Sequence, residues 1–281
     1  MTGLHVHHVT ADDGAALTAY VREPSGGTGS TLVLAHGWVL DHRCFLPVLA
    51  HLDPSLRVVL WDQRGHGRST LASGSRRVGR QSICRLGADL RTVLDELAPG
   101  ERVGLAGHSM GGMTIMAYAG LDPDHFARRV HGVALVSTAA GGLRGSGRPG
   151  ERAVLTVLRR IGTPVGRCMT EARLHEAAFG RDADPADVHD ATVIVRGTRI
   201  SVMSGFYDAL MRHDEVTSLA ALQNLPCRIL VGSGDRLTPP RLAQRIARAV
   251  PTAELRTLDG PGHMLIWEAP GEVAAAAEAV L

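Results

Sequence analysis

Short, continuous apolar runs recur along the chain, and each one ends in glycine or in a polar residue. A strand that is covered on both faces reads as such a run, because neither side of it meets water. Patterns with helical spacing lie between the runs, and in residues 82–98 the apolar side chains fall on one face. This alternation predicts an α/β fold with a mostly parallel sheet flanked by helices. The runs are STLVLAHG (30–37), LRVVLWDQRG (56–65), ERVGLAGHS (101–109), VHGVALVSTAAGG (130–142) and PCRILVGSGD (226–235).

The two ends of the chain extend this sheet. LHVHHVT (4–10) and ALTAYVREP (16–24) alternate and are separated by a turn signal, so they predict a β-hairpin. AELRTLDGPGH (253–263) is more polar than the other runs, as we expect of an outer strand. The prolines that precede RLAQRIARAV (241–250) suit the start of a helix.

Residues 141–225 interrupt the alternation, because they contain no clear strand run. GGLRGSGRPG (141–150) begins the segment, and several helix-like patches follow it. We therefore predict an α/β core of residues 1–140 and 226–281 and a helical insertion, or lid, of residues 141–225. Inside the insertion, ATVIVRG (191–197) fits a strand by composition alone, so its state stays open.

Composition limits the classes of partner. The net charge is only +2 and the arginines are scattered, so we expect no nucleic-acid partner. No apolar run reaches the roughly 18 residues of a membrane span, and the first residues lack the pattern of a signal peptide, which together favour the cytoplasm. The four separated cysteines and the HVHHV stretch (5–9) do not favour a metal site. We expect no cofactor, and either a monomer or a homodimer.

Ser109 occupies a junction between a predicted strand and a predicted helix. It lies in GHSMG (107–111), a G-x-S-x-G pattern. A nucleophile exposed at such a turn needs a strained backbone, and Gly107 and Gly111 remove side chains that would collide there. The helix that follows directs its free N–H groups to the same point, so the N–H of Met110 can bind a developing oxyanion.

A serine hydroxyl needs a base to remove its proton, and His263 is the best candidate. It lies in a glycine-proline loop after the last strand-like run, which agrees with the chain order Ser, Asp, His. Asp235 ends a strand run and is predicted to orient this imidazole. Asp259 is its rival, but it is only four residues from His263. Asp62 ends another strand, and its glycine-rich surroundings indicate a structural turn.

The second oxyanion donor is expected from an earlier strand end. His36-Gly37-Trp38 follows the run 30–37, and the N–H of Trp38 is our candidate. Further residues are predicted to line a substrate pocket: His36, Phe206, Tyr207, Leu210 and Leu237. Other apolar residues of the insertion either line the same pocket or pack within the insertion: Val154, Leu155, Leu158, Met203 and Met211.

Taken together, these motifs resemble the α/β-hydrolase superfamily, in its serine esterase or lipase-like branch. They follow one another in the expected order over nearly the whole chain. The matching stretches are HGW (36–38), DQRGHGRS (62–69), GHSMGG (107–112), GDRLTP (234–239) and GPGH (260–263). The resemblance implies an eight-stranded sheet, a helical cap and a triad of Ser109, His263 and Asp235.

The resemblance leaves several activities open. Ser109 argues against the relatives that use an aspartate nucleophile, which include epoxide hydrolases and haloalkane dehalogenases. The motif HGWVLDH (36–42) argues against the carbon–carbon bond hydrolases, which usually carry a longer glycine-proline oxyanion motif. Cofactor-free perhydrolases of the haloperoxidase type are similar, but they tend to have glycine where this chain has Met113.

We therefore predict a serine hydrolase that cleaves a carboxylic ester, lactone or thioester of a small, apolar substrate through an acyl-enzyme. The alternatives are a perhydrolase, a biosynthetic acyl-transfer or cyclisation enzyme that uses the same triad, and a ligand-sensing homologue without catalytic activity.

Overall fold

The computed structural model describes residues 3–26, 29–72, 79–143, 158 and 161–281. Its strands form one eight-stranded sheet with the order β1-β2-β4-β3-β5-β6-β7-β8. The strands are β1 (Leu4–Thr10), β2 (Ala16–Arg22), β3 (Thr31–Ala35), β4 (Arg57–Trp61), β5 (Val103–His108), β6 (Val130–Val136), β7 (Cys227–Gly232) and β8 (Ala253–Leu258).

The sheet is mostly parallel, which confirms the predicted fold class. The hairpin of β1 and β2 is antiparallel and pairs with β4 in antiparallel register. From β4 to β8 all neighbouring strands run parallel. The central strands β3 and β5 are buried throughout, whereas β8 at the edge alternates between partly buried and exposed residues. The apolar runs and the more polar last strand therefore occupy the positions that their composition predicts.

Helices cover both faces of this sheet. The α-helices of the described residues are α1 (Leu46–Leu49), α2 (Ile83–Leu97), α3 (Met110–Leu121), α4 (Pro123–Arg129), α5 (Glu171–Ala178), α6 (Pro185–Gly197), α7 (Ile200–Arg212), α8 (Pro240–Ala249), α9 (Leu265–Glu268) and α10 (Pro270–Glu278). Short 3-10 helices occur at His42–Phe45, Gly166–Cys168 and Thr217–Leu222.

Successive side chains of a strand point to opposite faces, and here each face belongs to its own apolar cluster. Val33 packs with α2, α3 and α8 in one cluster, while its neighbours Leu32 and Leu34 pack with α1, α9 and α10 in the other. In α2 the buried residues include Leu86, Leu90 and others of the predicted apolar face. The alternating strands and helices thus bury two cores, one on each side of the sheet.

Between β6 and β7, the described residues form the helices α5, α6 and α7 and two short 3-10 helices, joined by loops. Residues 191–197, whose state the sequence left open, belong to α6. Val202 and Phe206 of α7 pack into the cluster on the α2 side, and Ile194 of α6 packs into the other. These two helices therefore pack against both cores, and the division into core and cap stays a prediction.

The first part of the predicted insertion lies outside this description. Val154 and Leu155, which the sequence analysis placed among the possible pocket residues, are outside the described residues, and Leu158 is half-buried. None of the helices in the described part of the chain is both long and apolar enough to cross a membrane.

Candidate active site

Ser109 stands between β5 and α3 with φ 53° and ψ −116°. This left-handed backbone is unfavourable for a residue with a side chain, so surrounding contacts must hold it. The Ser109 N–H donates to the carbonyl of Val136 at 2.9 Å. A Cβ on Gly107 would lie 2.5 Å from the carbonyl carbon of Gly111, and one on Gly111 would lie 1.9 Å from the carbonyl oxygen of Ala35. Both glycines are therefore required by close backbone contacts.

His263 reaches Ser109 from the loop between β8 and α9. Its Nε2 lies 2.9 Å from Ser109 Oγ, and its Nδ1 lies 2.9 Å from Asp235 Oδ2. Because an ionised carboxylate only accepts hydrogen bonds, Nδ1 carries the proton and Nε2 is free to accept from the serine hydroxyl. His263 is 4% exposed and Asp235 3%, so this chain of hydrogen bonds is shielded from water.

Asp235 follows β7 and is held by its own turn. Its Oδ1 accepts the N–H groups of Leu237 at 2.9 Å and Thr238 at 2.8 Å, and Oδ2 accepts the Thr238 hydroxyl at 2.8 Å. Burial acts to raise the pKa of Asp235, but His263 and the hydrogen bonds from Thr238 outweigh it, so the pKa lies below its usual value. The carboxylate is therefore ionised and oriented toward the imidazole.

Two backbone N–H groups near Ser109 are free to bind an anion. Within the described residues, neither the N–H of Met110 nor that of Trp38 donates to a protein acceptor. The turn that carries Trp38 lies against the serine, because a Cβ on Gly37 would be 3.3 Å from Ser109 Cβ. Val39 in this turn has φ 59°, which is rare for a β-branched residue and marks a strained backbone.

The two other carboxylates that the sequence raised bind groups other than His263. Asp259 is exposed and accepts the hydroxyl of Ser233 at 3.1 Å. Asp62 is fully buried and binds Tyr20, the His42 backbone and ring, and the N–H of Arg68. These bonds agree with the interpretation of Asp62 as part of a structural turn.

Asp62 also belongs to a group of side chains with metal-ligand chemistry. Donor atoms of Asp41, His42 and Asp62 lie within 4.8 Å of one another. Both oxygens of Asp41 bind Arg43, however, and the oxygens of Asp62 already accept protein hydrogen bonds. The three side chains therefore form a satisfied hydrogen-bond network, in which a cation would have to displace several donors.

The residues predicted for the substrate pocket occupy different environments. His36 is buried, and its ring nitrogens lie 2.7 Å from the Gly37 carbonyl and 2.9 Å from the Gln63 N–H. Phe206 and Leu210 are buried in the apolar cluster on the α2 side. Leu237 is 47% exposed beside Asp235. These positions support packing for the buried residues and a rim position for Leu237, and the pocket stays a prediction.

Trp38 and Tyr207 bring the turn after β3 together with α7. Their ring centroids are 6.3 Å apart, and the Trp38 indole N–H donates to the carbonyl of Met203 at 3.2 Å. The Thr198 hydroxyl donates to the carbonyl of Val39 at 2.9 Å. The helical segment between β6 and β7 thus holds the turn that presents the Trp38 N–H, which is one of the two free N–H groups.

Sequence reasoning missed three residues that support the site. Thr238 donates its hydroxyl to Asp235. The available signal was the aspartate at the end of a strand run, since such a side chain commonly binds the backbone of the turn that follows it. His108 Nε2 donates to the carbonyl of His263 at 2.9 Å, and burial lowers the pKa of His108 to about 3, so this ring is neutral. Glu268 accepts N–H groups of the loop that carries His263. No local sequence pattern marks it as a residue that supports the site.

Ser109 lies at the turn between a strand and a helix, at the carboxyl edge of an eight-stranded, mostly parallel sheet. This arrangement defines an α/β-hydrolase architecture. A model of the alpha/beta hydrolase family matches residues 32–276. The match covers most of the chain, and the protein belongs to this family.

The known proteins that resemble the chain are named for different activities. The probable oxidoreductase EphD of Mycobacterium tuberculosis is 25% identical over 95% of this chain, and the chain spans only 48% of that protein's length. A pimeloyl-[acyl-carrier protein] methyl ester esterase of Xanthomonas campestris is 27% identical over 84% of this chain and 89% of its own length. The crystal structure of the enol-lactonase from Burkholderia xenovorans LB400 superposes with a TM-score of 0.80 at 23% identity, covering 97% of this chain and 99% of that chain.

Proposed function

We propose that the protein is a serine hydrolase that cleaves carboxylic esters or lactones through an acyl-enzyme. The observation that carries the proposal is the hydrogen-bonded chain from Ser109 Oγ through the His263 ring to Asp235, with both distances at 2.9 Å. A hydroxyl, an imidazole and an ionised carboxylate in this order form the arrangement that activates serine for acyl transfer.

The reaction begins when Ser109 Oγ attacks the substrate carbonyl and His263 Nε2 takes the hydroxyl proton. Asp235 stabilises the imidazolium that results. The N–H groups of Trp38 and Met110 bind the negative charge that develops on the carbonyl oxygen. His263 then gives its proton to the leaving alkoxide, and the acyl-enzyme forms. Water enters, and its oxygen attacks the acyl carbon as His263 removes its proton. The bond from this carbon to Ser109 Oγ then breaks, His263 returns the proton to Ser109, and the acid is released.

The substrate class follows from the surroundings of Ser109 and from the relatives. The Trp38 and Tyr207 rings and the exposed Leu237 offer apolar contacts next to the site, so we propose a small, mainly apolar substrate. One relative is named a methyl ester esterase, and a structural neighbour is named an enol-lactonase. Both names describe the opening of a carbon–oxygen acyl bond, which supports esters and lactones as the substrates of this chain.

The test combines labelling with turnover. A fluorophosphonate is expected to modify Ser109 alone, which mass spectrometry of the digested protein locates. The wild type is expected to turn over chromogenic esters and lactones repeatedly. Ser109→Ala is expected to keep its circular dichroism spectrum and lose turnover by roughly 10⁴- to 10⁶-fold, because the nucleophile is gone.

Ser137 provides a matched control. It follows the neighbouring strand β6 and also has a left-handed φ, of 46°, but its Oγ is buried without a partner among the described residues. Ser137→Ala is expected to keep turnover within about threefold, since no base activates that hydroxyl. Labelling without repeated turnover would instead indicate a ligand-sensing protein. A product whose acyl group is bonded to a hydroxyl or amine other than water, within the substrate or on a second molecule, would indicate cyclisation or acyl transfer.

A further inference from the structure

Glu268 binds backbone N–H groups on both sides of His263. It is the last residue of α9, and its two carboxylate oxygens each lie 3.0 Å from the N–H of Gly262. Oε1 also accepts the N–H of Met264 at 3.2 Å. The residues directly before and after His263 are thus bound by one half-buried carboxylate.

The same carboxylate reaches the helical segment between β6 and β7. Oε2 accepts the N–H of Gly180 at 2.7 Å, just beyond the end of α5. Burial raises the pKa of Glu268, against the opposing effect of the three N–H groups. The hydrogen bonds therefore lie in partly desolvated surroundings, where they are stronger than in water.

The backbone of His263 is also fixed directly. Its N–H donates to the carbonyl of Ala178 at 2.7 Å, and its carbonyl accepts from His108 Nε2 at 2.9 Å. Gly262 packs so closely on the same segment that a Cβ there would lie 2.4 Å from the carbonyl carbon of Phe179. The loop consequently contacts residues 178–180 through both Gly262 and His263.

We propose that Glu268 is a positioning residue for His263, and that its carboxylate couples the catalytic loop to residues 178–180. This inference rests on the proposed function, because it assigns Glu268 a role only if His263 is the base. Glu268 touches no reacting atom. It holds Gly262 and Met264 in place, so that His263 Nε2 stays within hydrogen-bond distance of Ser109.

The proposal explains why a charged, doubly accepting group occupies this position. A carboxylate offers two acceptor oxygens, and here both are needed for three N–H groups. An amide has one acceptor oxygen, and its NH₂ group would face an N–H donor. Glu268→Gln must therefore give up the N–H of either Gly180 or Met264, and the loop is expected to shift.

Ester turnover of Glu268→Gln tests this role. We expect kcat to fall between about tenfold and a hundredfold, because a small misplacement of the base is costly, while KM changes by less than about threefold. The rate of fluorophosphonate labelling at Ser109 is expected to fall in parallel. Glu268→Asp keeps the charge but withdraws the oxygens by one methylene, so we expect a similar loss. It also serves as the second variant if Glu268→Gln does not fold.

Amide hydrogen exchange separates positioning from general destabilisation. In Glu268→Gln, the amides of Gly180, Gly262 and Met264 are expected to exchange faster, while those of β5 and α3 keep their wild-type rates. Glu272→Gln is the matched control, because Glu272 lies on the neighbouring helix α10 and pairs with Arg256 at the surface. It is expected to retain kcat and the exchange rates of the His263 loop.

The outcomes distinguish this proposal from the proposed function. If the wild type shows neither turnover nor labelling at Ser109, the hydrolase function is wrong, and the role of Glu268 is wrong with it. If the wild type is active and folded Glu268→Gln and Glu268→Asp stay within about twofold of its kcat, only the role of Glu268 is overturned. Faster exchange throughout the variant, in β5 and α3 as well as in the loop, also overturns it.

Discussion

The turn at Ser109 and the loop at His263 place their side chains by different means. The Ser109 turn is held from within the sheet, by close packing of Gly107 and Gly111 and by the bond to Val136 on the adjacent strand. The His263 loop is held by side chains and backbone from separate parts of the chain. These contributions come from Asp235, His108, Ala178 and Glu268.

This difference shows two ways to position a buried or partly buried side chain. A strained strand-to-helix turn is a local device, because the residues that require it lie within the motif itself. The His263 loop depends instead on hydrogen bonds to groups outside the loop, both to nearby Glu268 and to distant residues such as His108 and Ala178. We therefore expect changes at the turn to act on folding and activity together, and changes around the loop to act mainly on activity.

Gly111→Ala is expected to have the largest effect. The new Cβ would lie 1.9 Å from the backbone oxygen of Ala35, so β5 and α3 must separate from β3. We expect the free energy of unfolding to fall by about 3 kcal/mol, and ester turnover to disappear because Ser109 leaves its position. Chemical denaturation and an activity assay measure the two effects.

Gly197→Ala is the control for this substitution. Gly197 is the last residue of α6, and beyond its chain neighbours and its own helix backbone no described atom lies within 4 Å of the position that its Cβ would take. Alanine favours helix over glycine, so this variant is expected to be as stable as the wild type or slightly more stable. If Gly111→Ala behaved like Gly197→Ala, the Ser109 turn would not depend on its packing.

The sequence predicted the fold well because its signals are local. Apolar runs and helical periodicity identified the sheet and α2, and the G-x-S-x-G pattern identified the turn at Ser109. The order and direction of the strands agree with the predicted fold class. The roles of Ser109, His263 and Asp235 remain predictions, although hydrogen bonds join the three side chains.

The supporting residues were harder to predict for a physical reason. Glu268 binds Gly180, which is 88 residues away in the sequence, and His108 binds a carbonyl 155 residues away. Such contacts depend on how the loops fold over the sheet, and no periodicity or spacing encodes them. The state of residues 191–197 was ambiguous for a related reason, since β-branched residues fit a strand unless tertiary packing favours a helix.

Asp235→Asn is expected to have the next largest effect, and on activity alone. An asparagine can present its NH₂ group to Nδ1, which favours the tautomer with the proton on Nε2 and prevents His263 from accepting the Ser109 proton. We expect kcat/KM to fall by about 10³- to 10⁴-fold while the circular dichroism spectrum is unchanged. The Nδ1 proton signal of His263 in the NMR spectrum is expected to disappear.

Asp259→Asn controls for the rival carboxylate. Asp259 is exposed and binds Ser233 rather than His263, so the variant is expected to keep kcat/KM within about twofold. A loss in Asp259→Asn that matched the loss in Asp235→Asn would show that the orienting acid is wrongly assigned.

Thr238→Val is expected to have the smallest effect, because it removes only one of the bonds to Asp235. The Thr238 hydroxyl donates to Oδ2 at 2.8 Å, and valine keeps the shape but not the donor, while the Thr238 N–H still binds Oδ1. A hydrogen bond to a charged group contributes about 1.5 kcal/mol or more. We therefore expect kcat/KM to fall about tenfold, with KM nearly unchanged.

The pH dependence of stability sharpens this last prediction. The pKa of Asp235 lies below its usual value, with Thr238 among the causes, so the carboxylate stabilises the fold above the unfolded pKa of about 3.9. That contribution is lost as the pH falls through the lower folded pKa. Thr238→Val moves the folded pKa upward, so the variant is expected to be less stable than the wild type near neutral pH, and the two free energies of unfolding converge in acid. A difference in stability that grew as the pH fell would contradict this account, because a protonated Asp235 no longer gains from the hydroxyl of Thr238 as a charged group does.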